Sequence, residues 1–254
     1  MGRLSGKKGL VVGIANGQSI AYGCASAFRQ KGAELAVTYL NEKAKKFVEP
    51  LAQELDATIF LPCDVREAGE IQSLFRALEA EWGKLDFILH SVAFAPKEDL
   101  HGRVIDSSLD GFNMAMNVSC HSFIRMARAA EPLMQSGGSL MTMSYYGAEK
   151  VVDNYNLMGP VKAALEASVR YLAAELASQG VRVYAISPGP VPTRAASGID
   201  RFDALMEAAA EHAPKHALVT IEQIGRVAAF LASDEPEAMT GNLVFVENGY
   251  NLMG

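Results

Sequence analysis

Short runs of aliphatic and β-branched residues recur along this chain, and each is followed by a longer stretch in which apolar positions return at helical spacing. The pattern predicts strands at residues 10–12, 35–39, 59–61, 87–89, 139–143, 181–186 and 243–246. Between them it predicts helices at residues 20–31, 42–55, 68–82, about 111–130, 155–178 and 221–231. The strand runs are apolar on both faces, as in Leu10-Val11-Val12 and Phe87-Ile88-Leu89. Such strands, separated by helix-length segments, assemble as a parallel sheet with helices on each face and right-handed crossovers. The expected fold class is α/β, a doubly wound parallel sheet. One stretch breaks the rhythm. From Ser187 to about Pro214 no element is predicted, and Pro188, Pro190 and Pro192 open it. A long irregular segment in a compact domain often acts as a lid.

Composition sharpens this picture without changing it. The chain has 254 residues, half of them hydrophobic, which suits one repeating βα unit of about 250 residues. No repeat, low-complexity tract or linker divides it, so a single domain over residues 1–254 is expected. A chain this long buries roughly three-quarters of its unfolded surface and needs neither a disulfide nor a structural metal to fold. Its net charge of −6, without a basic block, argues against nucleic acid and against an anionic membrane surface as partners. Cys24, Cys63 and Cys120 are far apart and lack ligand spacing, as in a reduced compartment. The opening residues show no signal-peptide apolar region, and no uncharged apolar run reaches ~18–20 residues. Gly6 stands where a myristoylation signal needs a hydroxyl. A cytoplasmic protein is expected.

The first strand leads into Gly13-Ile14-Ala15-Asn16-Gly17-Gln18-Ser19-Ile20-Ala21. Glycines let backbone approach a pyrophosphate, and the N–H groups of the following helix, with Ser19 as its cap, meet the negative charge. The spacing is not G-x-G-x-x-G, so an ordinary βα turn remains open; its place after the first strand favours a dinucleotide. The second strand ends Thr38-Tyr39-Leu40-Asn41, without the usual ribose-binding acid and without an adjacent Arg for a 2′-phosphate. NAD(H) is thereby favoured over NADP(H). Asp64 follows the third strand, where its carboxylate could accept from an adenine amino group or cap the next helix. Ser91-Val92-Ala93 closes the fourth strand with small residues that let a cofactor come near.

Tyr155 and Lys162 carry the chemistry. On one helix, seven residues are about two turns, an offset of only ~20°, so both would project from one face. Pro160 is tolerated there if it falls in the first turn. Hydride addition to a polarised double bond leaves negative charge on oxygen. A phenol can hydrogen-bond that oxygen, while an ammonium anchors the cofactor ribose and favours the anion. A core Tyr beside a surface Lys is the ordinary alternative. Tyr146 and Lys150 also form a Y-x-x-x-K pair, but no sustained helical period underlies them. That pair would suit a short-chain alcohol or 3-ketoacyl dehydrogenase. A non-catalytic dinucleotide-binding sensor is the third reading.

Across essentially its whole length the chain resembles the bacterial NADH-dependent enoyl-acyl-carrier-protein reductases of type II fatty-acid synthesis, a divergent, Rossmann-like branch of the short-chain dehydrogenases. The resemblance rests on the Gly13 to Ala21 turn, Cys63-Asp64-Val65, Phe94-Ala95-Pro96 and Ser144-Tyr145. It rests above all on Asn154-Tyr155-Asn156-Leu157-Met158-Gly159, Lys162-Ala163 and Leu165-Glu166-Ala167. It implies an oxidoreductase in which Tyr155 stabilises the enolate, Lys162 binds ribose and Tyr145 flanks the thioester. Gly13, Ser19, Ile20, Asp64, Val65, Ala93 and Thr193 would contact NADH, while Ala95, Met158 and Phe202 would line the acyl pocket. Residues 195–211 would form a substrate-binding loop, and the protein would be a homotetramer. Some positions depart from the family pattern. Leu40 replaces a frequent polar residue, Ala93 a usual glycine, and Pro188 restores a Ser-Pro-Gly turn. Only Arg194 and Arg201 are nearby as basic residues, which weakens steering of an acidic carrier protein. Acyl-CoA or a dedicated carrier is then an alternative form of the enoyl thioester.

Overall fold

The computed structural model describes residues 2–193 and 202–253. Seven strands form one sheet: β1 (Lys8–Val12), β2 (Glu34–Tyr39), β3 (Ile59–Pro62), β4 (Phe87–His90), β5 (Gly138–Met143), β6 (Val181–Pro188) and β7 (Asn242–Val246). Their order is β3-β2-β1-β4-β5-β6-β7 and every pairing is parallel. Because strand side chains alternate, Leu10 and Val12 enter one core while Val11 enters the other. The first core packs beneath α3 (Ala68–Trp82), α6 (Ser122–Ala130) and α7 (Met158–Leu176); the second packs beneath α1 (Ile20–Gln30), α2 (Glu42–Glu54) and α9 (Ile221–Ala232). Burial on both faces is why the strands read as unbroken apolar runs. The doubly wound α/β class is the observed one. Strand order reverses between β1 and β4, and in open parallel sheets ligands bind beyond the strand ends at such a switch point.

Four stretches differ from expectation. Between β4 and the next crossover lies α4 (Lys97–His101), a short helix with no apolar period. The helix expected near residues 111–130 begins earlier, as α5 (Leu109–Met116), and reaches α6 through a π-helical segment, Asn117–His121. The segment expected to be irregular contains α8 (Phe202–His212). Most consequential, α7 starts at Met158, not at Tyr155. Asn154 (φ 63°) and Asn156 (φ 45°) both adopt left-handed backbone. A right-handed helix cannot run through such residues, and Asn is among the few side chains that tolerate the conformation. Pro160 then lies in the first turn of α7, where helical N–H groups have no intrahelical acceptor and a missing one costs little.

Candidate active site

Two adjoining cavities open along the carboxyl ends of the strands and share Gly13, Ala15, Ser91, Val92, Ala93 and Phe94. Gly13 sits at φ 116°, and a Cβ there would lie 2.1 Å from the Ser91 carbonyl oxygen. Only glycine leaves this floor open. Ser19 is the residue preceding α1, but its hydroxyl does not cap the helix. Instead it accepts from the N–H groups of Ala15 and Asn16, each at 3.0 Å. The expected cap is thus a loop brace, which fixes the turn while leaving the first helical N–H groups to face an anion.

Asp64 and Val65 line the cavity at the β2–β3 side, together with Thr38 and Leu40. Asp64 does not cap α3, since Glu67 holds that position. Its carboxylate accepts from the backbone N–H and side chain of Arg66, and this bonding holds its pKa below the usual carboxylate value. Arg66 also lines the cavity, although in the sequence it looks like any loop arginine. Arg125 hydrogen-bonds the Val65 carbonyl and the Asn117 side chain. Ser119 accepts from the Phe94 N–H at 2.9 Å and donates to the Phe94 carbonyl at 3.1 Å. The π segment therefore braces both cavity walls.

The other cavity gathers Ile20, Ala95, Tyr145, Tyr155, Met158, Lys162, Thr193 and Phe202, with Gly13, Ser19 and Ala93 also in its lining. Lys162 is on α7; Tyr155 is on the turn before it. The two were expected to share a helix face; they instead converge because the Asn154–Asn156 turn carries the phenol back over the cleft. Asn156 Nδ2 donates to the Leu100 carbonyl at 2.9 Å, tying this turn to α4. The rings of Tyr145 and Tyr155 meet edge to face at 4.8 Å. Burial raises the pKa of both phenols, so each stays protonated and able to donate. Burial also lowers Lys162 to about 8, partly opposed by Cys120 and Glu166. Its Nζ donates to the Met143 carbonyl at 2.7 Å.

His90, fully buried at the end of β4, hydrogen-bonds Thr142 at 3.0 Å and Ser122 at 2.8 Å. Burial, then Lys162, pushes its pKa down to about 3, so it stays neutral. Nothing in its local sequence announced it. The competing Tyr146/Lys150 pair lines neither cavity. The Tyr146 ring rests on Tyr250 at 5.4 Å, and Lys150 is exposed. Arg194 and Arg201, with the first part of the expected 195–211 loop, lie outside the described residues.

Gly147 likewise has no distinguishing mark in the sequence. A Cβ there would stand 2.4 Å from the Tyr155 ring. Gly147→Ala is expected to displace the phenol and lower turnover by about tenfold or more, since small misplacements of a reacting group are costly. Dinucleotide affinity, measured by fluorescence titration, should stay near that of the parent protein. Equal losses in both would assign Gly147 to the fold instead.

Comparison with known proteins decides the family. Residues 13–251 match the family model described as enoyl-(acyl carrier protein) reductase. The chain belongs to the enoyl-acyl-carrier-protein reductase family. It is 47% identical over 253 residues to enoyl-acyl-carrier-protein reductase (NADH) 1 of Rhizobium meliloti, covering 100% of this chain and 93% of that one. The crystal structure of the Aquifex aeolicus enoyl-acyl-carrier-protein reductase (NADH) superposes with a TM-score of 0.97 at 48% identity, covering 100% of this chain and 99% of that one. The Anaplasma phagocytophilum reductase, solved in complex with NAD, gives 0.96 at 48% identity, covering 99% and 96%. As an enoyl-acyl-carrier-protein reductase this chain is an oxidoreductase of fatty-acid elongation. No helix among the described residues is long and apolar enough to cross a membrane.

Proposed function

We propose that this protein reduces the double bond of trans-2-enoyl thioesters with NADH, using Tyr155, Lys162 and Tyr145 at the reacting end of the cleft. The observation that carries this reading is the convergence of a buried phenol and a buried ammonium in one cavity continuous with the Gly13 floor. That floor, which any side chain would fill, suits a pyrophosphate. When bound, NADH supplies the hydride that adds to C3 of the enoyl group. Tyr155 donates its hydroxyl proton as a hydrogen bond to the thioester oxygen, where the enolate charge develops. Lys162 holds the cofactor ribose and, as a cation, favours that charge. Tyr145 excludes water beside the thioester.

Gly13, Ser19, Ile20, Asp64, Val65, Ala93 and Thr193 are assigned to cofactor contact, and Ala95, Met158 and Phe202 to the acyl chain. NADH is favoured over NADPH because Leu40 offers a 2′-phosphate no donor, and Arg66 is engaged by Asp64. The native substrate is assigned as a carrier-protein thioester, with the CoA thioester accepted as well. The chain acts as one domain, in the cytoplasm, as a homotetramer. The exposed apolar side chains Ile105 (77%) and Leu109 (75%) support burial by another copy.

The direct test is loss of the NADH absorbance band with a crotonyl thioester, then with NADPH in place of NADH. Oxidation of NADH only on adding the enoyl thioester is the expected result; reduction of a 3-ketoacyl thioester instead would overturn it. Weak carrier steering predicts that kcat/KM for carrier-bound and CoA-bound crotonyl substrates falls similarly with ionic strength. A steep fall for the carrier-bound form alone would contradict that.

A further inference from the structure

Three consecutive residues at the end of β5 each meet a different part of the candidate centre. The Met143 carbonyl accepts from Lys162 Nζ at 2.7 Å. Ser144 donates its hydroxyl to Glu166 Oε1, and its N–H to the Ile186 carbonyl at 2.7 Å. Tyr145 sets its ring edge against Tyr155. Lys162 and Glu166 stand one turn apart on α7 and share a face. One helix face thus grips two neighbouring residues of the strand end, and the next residue in line is Tyr145. Ser144 and Glu166 are 4% and 7% exposed. None of the roles assigned above uses them, yet a carboxylate is rarely buried this far without a bonding task.

We infer that Glu166, acting through Ser144, is a positioning residue that keeps Tyr145 against Tyr155 while Lys162 serves the cofactor. This rests on the function proposed above. In that reading Lys162 directs its ammonium to ribose, so its hold on Met143 is shared with another acceptor. The Ser144–Glu166 bond involves no group assigned to the reaction, and Ser144 itself lines the cavity beside Tyr145. Backbone at Tyr145 is extended (φ −159°, ψ 149°), so any pivot at Ser144 swings the Tyr145 ring directly. One tether lets such a segment pivot; two adjacent tethers fix its twist. The carboxylate also faces Lys162, Tyr155, Glu149 and Arg170. Burial raises its pKa, with the Ser144 bond opposing.

The test compares Ser144→Ala, Glu166→Ala, Glu166→Gln and the Ser144→Ala/Glu166→Ala double variant of the full chain. Assays run well below pH 8, so that Lys162 keeps its proton. Losing a hydrogen bond to a buried charged group should lower kcat with a crotonyl thioester by about tenfold or more in both alanine variants. The double variant should be no slower than the worse single, the mark of one shared interaction. Gln keeps an oxygen acceptor of the same reach, so Glu166→Gln should stay within about threefold of the parent. NADH affinity, titrated without enoyl substrate, should change little in any of them. Additive losses, a Gln variant as slow as the Ala variant, or NADH binding that falls in step with kcat would overturn the inference. If Glu166→Ala does not fold, Ser144→Ala against Glu166→Gln decides alone. A parent protein that leaves NADH untouched with an enoyl thioester sinks the functional reading itself. An active parent with additive variants sinks only this inference.

Discussion

Replacing Tyr155 with phenylalanine is expected to lower kcat by about 10²–10³-fold, the usual cost of removing one preorganised donor to a developing oxyanion. The loss should fall on chemistry alone. Phenylalanine keeps the ring that packs edge to face on Tyr145 and lies beneath Gly147, so no void opens and the melting temperature should hardly move. NADH affinity should also hold, because the hydroxyl is assigned to substrate oxygen and Lys162 to ribose. Steady-state rates with a crotonyl thioester, beside a fluorescence titration of NADH, separate the two effects. A variant that retained most of its turnover would hand the donor role to Tyr145, whose phenol burial likewise keeps protonated.

Replacing Lys162 with methionine should move stability and function in opposite directions. The ammonium is buried, and desolvation lowers its pKa from 10.5 to about 8. With the folded value below the unfolded one, the unfolded chain binds the extra proton between those two values. Stability contributed by this site therefore rises as pH climbs through the window, and is lowest below about 8. At neutral pH the penalty is roughly 3 kcal/mol, at 1.36 kcal/mol per pKa unit. The hydrogen bond to Met143 returns about 1.5–3 kcal/mol of it. Methionine matches the stem in length and removes the charge. The variant should melt slightly higher than the parent near pH 7, with the advantage vanishing near pH 10. Losing a charge-assisted contact to ribose should meanwhile weaken NADH binding by about 10–100-fold. Thermal melts at both pH values and a titration check both halves. A lower melting temperature near neutrality would mean that Glu166 and the Met143 carbonyl outweigh desolvation, making the lysine a structural asset.

Other parts of the centre had no local signature. The Ser144–Glu166 bond joins residues far apart in the chain, and Arg125 reaches Val65 across an even longer separation. Such pairs have no period and no spacing rule; their only cause is the crossover that brings the segments together. Arg66 and Gly147 looked ordinary because the feature that distinguishes each, a neighbouring carboxylate or a tyrosine ring, comes from three-dimensional packing. The helix Phe202–His212 was masked by the proline cluster before it, whose turn signal overshadowed a short amphipathic stretch.

What the chain's own order of residues determined was the architecture and the identity of the chemistry. Short runs apolar on both faces, alternating with helix-length segments, read as buried strands of a parallel sheet, whereas the strand order, and with it the switch point between β1 and β4, came from the structure. Tyr155 and Lys162 stood out by residue type and neighbourhood. How they meet was decided by tertiary structure. The helical spacing that seemed to align them does not exist, because left-handed asparagines on either side of the tyrosine keep it out of α7, which starts only at Met158. Helical period is a local property that any apolar stretch can show. A left-handed turn on non-glycine residues persists where surrounding contacts hold it, here the Leu100 carbonyl and the space left by Gly147.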